Sequence, residues 1–354
     1  MHTEVSITAA TALQVRAMAV CSAWRDCLDP RKWPIETLEL DGLDDDDERL
    51  LPWIISTRPA VKSLDLSNCK TPQLLTVLAS VPRMVSSAVG AAVVCTVPAL
   101  APMTALEELG VSGWGREGGP LLPRITQLHL GITDSVVVNT ALPSLQELSV
   151  YMVSSVVLGG QHFQAPRLSS LLLHEVDKDM YVSWGQLGGV KELQAHFMGE
   201  ATLLGAAELS ALTNIAALSL GCSQGQGASD AAHALLQAAP TSLRSLTLEG
   251  WPAEELLPPT LTELTQLTTL QCGGLAIVSQ LSSLQHLHSL HLRGHPAASL
   301  SVPELAMLSE FSSLRRLRFL EHQIEAGVWA CCLKVLQAVL PRGCQVERGA
   351  WKPF

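Results

Sequence analysis

A short apolar phrase, LxxLxL, begins at Ile35, Val61, Leu106, Ile125, Leu145, Leu168, Val190, Ile215, Leu243, Leu267, Leu287 and Leu314. Apart from one wider gap, the copies recur at intervals of roughly 20 to 28 residues, for example as VKSLDL, ITQLHL, TSLRSLTL and HLHSLHL. A unit this short cannot bury its own apolar side, so neighbours must stack, and a period of this length specifies a stack. Inside the phrase the last two apolar positions alternate with polar ones, the pattern of a strand with one buried face. In VKSLDLSN, Leu64 and Leu66 point inward with Val61 behind them, and Ser63, Asp65 and Ser67 point outward. Strands stacked in this way form a parallel sheet with one continuous outward surface.

From about Pro34 to the C-terminus the chain resembles a leucine-rich repeat protein. The resemblance implies an α/β solenoid: a curved parallel sheet with helices and turns on its convex side and a protein partner on its concave side. The outward positions are acidic early, at Glu39, Asp41, Asp65, Glu108 and Glu147. They read His129, Tyr151, His174, His196, Ser219 and Thr247 in the middle, and His291, Arg293, Arg316 and Arg318 late. A partner lying along this row would set its basic part near Asp65 and its acidic part near Arg316, because surface charge orients an encounter. One departure from the family pattern is plain. Family repeats place Asn or Cys three residues after the last Leu of the phrase. Here only Cys69 fits; Thr133 and Ser223 are substitutes, and Val153, Val176, Met198 and Trp251 are not. The turning backbone must therefore find its hydrogen bonds elsewhere.

The connections vary. The gap between Val61 and Leu106 invites a degenerate copy at Met84, Ser87 and Val89. Helices ended by proline are expected at Gln73 to Val81 and Asp230 to Ala239, whereas Leu130 to Leu145 is too short for more than a turn or a brief helix. A closing cap begins at about residue 325. Its helix, Glu325 to Leu340, carries Val328, Trp329, Cys332, Leu336 and Val339 on one face; Pro341 ends it, and CQVE (Cys344 to Glu347) supplies a last edge strand.

Residues Thr8 to Leu28 read as an amphipathic helix with Leu13, Ala17, Val20, Cys21, Trp24 and Leu28 on one side, capped by Ser6 or Thr8 and stopped by Pro30. It can serve simply as a cap on the first repeat, which a solenoid needs. Its words VCSAWR (Val20, Cys21, Trp24, Arg25), followed by Pro30 and Trp33, also resemble the second half of an F-box. The resemblance implies adaptor binding through these six residues, and the repeats that follow match the layout of F-box leucine-rich repeat proteins. Those recruit substrates to cullin-type ubiquitin ligases through a Skp-type adaptor. The first half of the F-box pattern, a Leu-Pro start and a Leu/Ile-rich helix, has no match in this chain. The expected organisation is an F-box-like or capping helix at 1–33 and a repeat domain at 34–354, a monomer within a complex. The alternative is a non-ligase scaffold of the cytoskeletal or axonemal kind.

Composition narrows the classes. A net charge of -10 argues against nucleic acid, whose phosphates need a basic surface. Much of the excess sits in Asp44 to Glu48, a solvated acidic run without the spaced ligands or glycine of an EF-hand loop. Nine cysteines are scattered without a paired framework or a zinc pattern. The start MHTEVSITAA shows no signal peptide, so the expectation is a reducing compartment: cytoplasm or nucleus, or the cytoskeleton or axoneme under the alternative. Met84 to Leu106 is uncharged and long enough to span a bilayer, yet it holds Pro98 and Pro102 and sits where the rhythm wants a repeat. A buried repeat is expected, and no membrane partner. There is no GxxxxGK, GxSxG or HExxH, so neither catalysis nor a cofactor is expected. His286, His288, His291 and His295 cluster in sequence, but the strand frame disperses them where zinc needs convergence, so no metal is expected.

Overall fold

The structure, a computed structural model, describes residues 4–7, 37–40, 63–65, 107–111, 123–205, 208, 212–223, 226–251, 261, 263–273, 284–293, 308–320 and 326–349. They belong to two compact units, Met1–Gly189 and Val190–Phe354. All twelve phrases head a strand.

In the N-terminal unit the strands are β1 (Glu4–Ile7), β2 (Thr37–Leu40), β3 (Ser63–Asp65), β4 (Glu108–Val111), β5 (Gln127–Val138), β6 (Glu147–Leu158), β7 (Ser170–Val176) and β8 (Asp179–Val182). β1 to β7 pair in chain order, each parallel to the next. Register sets like on like: Leu109, Leu128, Leu148 and Leu171 align, and each is fully buried. Burying one such side chain contributes roughly 1.5–3 kcal/mol. The ladder begins at β1, ahead of the first phrase. Ser6, one of the two residues expected to cap a helix, is instead in this strand.

Two expectations are corrected in this unit. β3 pairs directly with β4, so the degenerate copy at Met84, Ser87 and Val89 does not enter the sheet between them. Residues 84–89 themselves lie outside the described residues. The Leu130 to Leu145 connection is neither turn nor helix, because β5 and β6 each run for twelve residues. Met152 (φ 52) and Glu175 (φ 60), which follow the paired residues Tyr151 and His174, bend the chain. Beyond the bend, Ser135–Val138 pairs with Ser155–Leu158, and Val156–Leu158 pairs with Met180–Val182 of β8. This paired extension of the ladder buries Val136, Val138, Val156, Leu158, Met180 and Val182 completely. The local text SVVV and SSVVL explains it: β-branched residues with a period of two prefer a strand to a short helix. Trp184, in a 3-10 turn at Trp184–Gln186, is also fully buried.

In the C-terminal unit the elements are β9 (Glu192–Phe197), β10 (Thr202–Leu204), β11 (Ala217–Cys222), α1 (Gln226–Gln237), β12 (Ser245–Glu249), β13 (Thr269–Cys272), β14 (Ser289–Arg293), β15 (Arg316–Leu320), α2 (Ala326–Val339) and β16 (Gln345–Gly349). β9, β11, β12, β13, β14, β15 and β16 form a parallel ladder in that order. α1 overlaps the expected Asp230 to Ala239 helix, starting four residues earlier and ending two residues sooner. Ala228, Ala231, Ala232, Leu235 and Leu236 are buried on it at three and four residue steps, and it packs on β9, β10 and β11. α2 is the expected closing helix. Leu336 is buried, Trp329 meets Phe319 edge-on at 5.9 Å between ring centroids, and Val335 on the other face stays exposed. β16 is the expected edge strand, extended by two residues to Gly349.

The described residues also explain how the chain manages without a regular Asn. Val153 and Val176 simply continue the ladder as a pair, fully or nearly fully buried. Ser223 donates from its hydroxyl and its amide to the Phe197 carbonyl, at 3.2 and 3.0 Å. Each unit is thus a leucine-rich repeat solenoid. The N-terminal unit has a strand-backed segment, and the C-terminal unit is backed by α1 and closed by α2 and β16. The Gln73 to Val81 helix, the N-terminal helix with Val20, Cys21, Trp24, Arg25, Pro30 and Trp33, and the uncharged stretch from Met84 to Leu106 lie outside the described residues. No helix among the described residues is long and apolar enough to cross a membrane.

Candidate protein-binding faces

Six of the strands start from the same device. Leu142, Ala165, Leu212, Leu264, Leu284 and Phe311 are buried, and the carbonyl of each accepts from the amide three residues on. That amide belongs to the first apolar residue of the next phrase: Leu145, Leu168, Ile215, Leu267, Leu287 or Leu314. The tight turn fixes where each of these six strands begins and so fixes its register. The signal, an apolar residue three before the phrase, is present in the text (LPSL, LTNI, LTQL, LSSL, FSSL), and reading LxxLxL alone misses it.

With register fixed, the outward positions line up in rows. In the N-terminal unit Glu39 aligns with Asp65, and His129 lies between Gly110 and Ser149. His129 Nε2 is 3.8 Å from Glu108. Tyr151 and His174 are direct cross-strand partners, with ring centroids 6.1 Å apart, and His174 Nδ1 is 3.7 Å from Glu175. Gly131 precedes Tyr151 in the row. A Cβ there would press on the Tyr151 carbonyl at 3.3 Å, so the absent side chain lets the two strands approach.

In the C-terminal unit the central outward row is Gln194, Ser219, Thr247, Gln271, His291, Arg318 and Glu347, polar on every strand. The next row holds His196, Gly221 and Glu249. The His196 ring lies over Gly221, where a Cβ would come within 2.3 Å of it. Likewise Gly349 leaves room for the Arg318 guanidinium. Bulky polar groups beside glycines are a second pattern that strand-by-strand reading misses, because it depends on which residues become neighbours.

The late arginines stand where the sequence places them, but they are not a bare basic end. Arg316 and Arg318 lie 3.3 and 4.0 Å from the two oxygens of Glu347, which the closing strand contributes. Arg293 reaches Glu249, two strands away, at 3.2 Å. Between them β13 turns off at Gly273, which has no side chain to block the reach. Half-exposed pairs of this kind contribute at most about 1 kcal/mol each, so their main consequence is to neutralise the face. The histidines separate as the strand frame requires: His288 Nδ1 meets the His286 carbonyl, and His291 Nε2 is 3.0 Å from the Ser289 hydroxyl. His295 lies outside the described residues.

Burial, then the charges of Arg318 and Arg316, hold His291 below the usual histidine pKa; Glu347 opposes them. The folded protein therefore resists a proton that the unfolded chain accepts. Stability contributed by this site is present above the usual histidine value and is lost as pH falls through it. His291→Gln is expected to shrink the drop in melting temperature between about pH 7.5 and about pH 5.5. Thermal unfolding at the two values checks it, and an undiminished drop would refute the assignment.

No family model matches the chain. No curated protein matches it either. Among solved structures, an internalin from Listeria monocytogenes strain 4b F2365 is similar at 14% identity with a TM-score of 0.36, covering 97% of this chain and 96% of that one. The fold class defined above rests on the ladders themselves.

Proposed function

We propose that the chain is a protein-binding module that recognises its partner through the outward polar rows of its ladders. The observation that carries this reading is the row from Gln194 to Glu347. Seven strands hold it in register, it contributes nothing to the apolar core, and it offers donors and acceptors with little net charge. Such a face suits a folded or extended protein surface better than a small molecule, which needs an enclosed apolar pocket. The test is a variant carrying Thr247→Arg and Gln271→Arg, two half-buried positions in the middle of the row. Partner capture from cells is expected to fall with the melting temperature unchanged. Equal capture by the variant and the wild type would remove the face from consideration.

The finer reading is that of a substrate-recognition subunit of a cullin-type ubiquitin ligase, with a Skp-type adaptor held by Val20, Cys21, Trp24, Arg25, Pro30 and Trp33. Its support is the VCSAWR word with Pro30 and Trp33, set directly before the first repeat. Against it stands the missing first half of the F-box pattern, which favours a scaffold whose N-terminal helix only caps the ladder. Co-purification with the adaptor separates the two: retention that is lost with Trp24→Ala supports the ligase subunit, and no retention leaves the scaffold.

A further inference from the structure

The C-terminal unit has a cleft of about 670 Å³ at the turn edge of its last three rungs, where the chain enters β14, β15 and β16. Its walls include His288, Arg315, Arg316, Arg342 and the Ser312–Ser313 turn. The backbone fixes each of these. The Leu314 amide donates to the Phe311 carbonyl at 2.9 Å and closes the serine turn. The amides of Arg315 and Arg316 both donate to the His288 carbonyl at 2.9 Å, which sets the two arginines beside it. The Cys344 amide donates to the Pro341 carbonyl at 3.0 Å, and Gly343 at φ +88 completes a tight turn with Arg342 at its apex.

The charge here differs in kind from that on the outward face. Glu347 answers Arg316, but no acidic residue lines the cleft. Among the described residues neither Arg315 nor Arg342 belongs to an ion pair, and both are exposed. In a chain of net charge -10, Arg315 and Arg342, held on one cleft by tight turns, form a local positive field that an anion relieves. We propose that this cleft receives a phosphorylated serine or threonine of the partner protein. Arginine forks and serine hydroxyls together offer more donors than the two oxygens of a carboxylate accept; a phosphate monoester has three terminal oxygens and nearly twice the charge. The proposal rests on the protein-binding reading above and names the chemistry of one part of the partner.

The test uses the full chain and a fluorescein-labelled, otherwise neutral Gly/Ala peptide containing one phosphoserine, read by anisotropy. Companion peptides carry serine or glutamate at that position, and inorganic phosphate is the competitor. The phosphoserine peptide is expected to bind at least about tenfold more tightly than either companion and to be displaced by phosphate. Arg315→Gln with Arg342→Gln should weaken it at least about tenfold, with the circular dichroism spectrum unchanged. Arg348→Gln, an exposed arginine of β16 outside the cleft, should not weaken it. No preference over glutamate, no effect of the double change, or equal loss with Arg348→Gln would each overturn the proposal. Partner capture that survives phosphatase treatment and the cleft variant, yet is lost with Thr247→Arg and Gln271→Arg, would overturn it while leaving the protein-binding reading intact.

Discussion

Leu290→Ala is expected to lower the unfolding free energy by about 3 kcal/mol. Leu290 is fully buried and stacks between Leu270 and Leu317 in register. Removing its side chain strips contacts from both neighbouring rungs and leaves a cavity that paired strands on either side cannot close. In a stacked array each rung is stabilised mainly by its neighbours, so damage to one layer weakens two interfaces. Denaturant unfolding measures the loss. His291→Gln, one residue along and outward, serves as the control and should change stability far less. A loss under about 1 kcal/mol for Leu290→Ala would mean that the leucine layer is not the continuous core described here.

The second large effect is expected at Gly250. Its φ of +64 already costs an L-residue about 1 kcal/mol. A Cβ there would come within 2.1 Å of the Cys222 carbonyl oxygen, a backbone atom that cannot swing away. The strands β11 and β12 would have to part, so Gly250→Ala is expected to cost about 3 kcal/mol in total, within the range of severe single changes. Gly343 provides the comparison. Its φ is +88, but a Cβ would meet nothing within 4 Å. Gly343→Ala should therefore cost only the conformational part, about 1 kcal/mol. Melting curves of the two variants separate the steric contribution from the conformational one. Equal losses would show that β12 does not approach Cys222 as closely as described.

Leu128, Leu148 and Leu171, and Leu246, Leu270 and Leu290, were legible as inward positions because a strand alternates its faces whatever surrounds it. The outward placement of Tyr151, His174, His291 and Arg318 followed from the same rule. Other features were not legible for definite reasons. The text SVVVN suits any exposed β-branched stretch, and only pairing with SSVVL and MYV turns it into a buried extension of the ladder. Arg316 and Arg318 read as a basic end because Glu347 lies roughly thirty residues further on, in a strand whose register no local pattern reveals. The cleft at Arg315 and Arg342 was missed because its two arginines come from different rungs, joined through the turn at Gly343.

The sequence by itself determined the repeat, the inward positions of the phrases from Ile125 onward, the helices α1 and α2 and the last edge strand, because alternation and period are local properties of the chain. Only the tertiary structure decided which charges neutralise one another, which glycines admit a neighbouring ring, where the strands run on past the bend and where uncompensated arginines meet. Those outcomes depend on register between segments far apart in sequence, and register is settled when one rung is laid on the next.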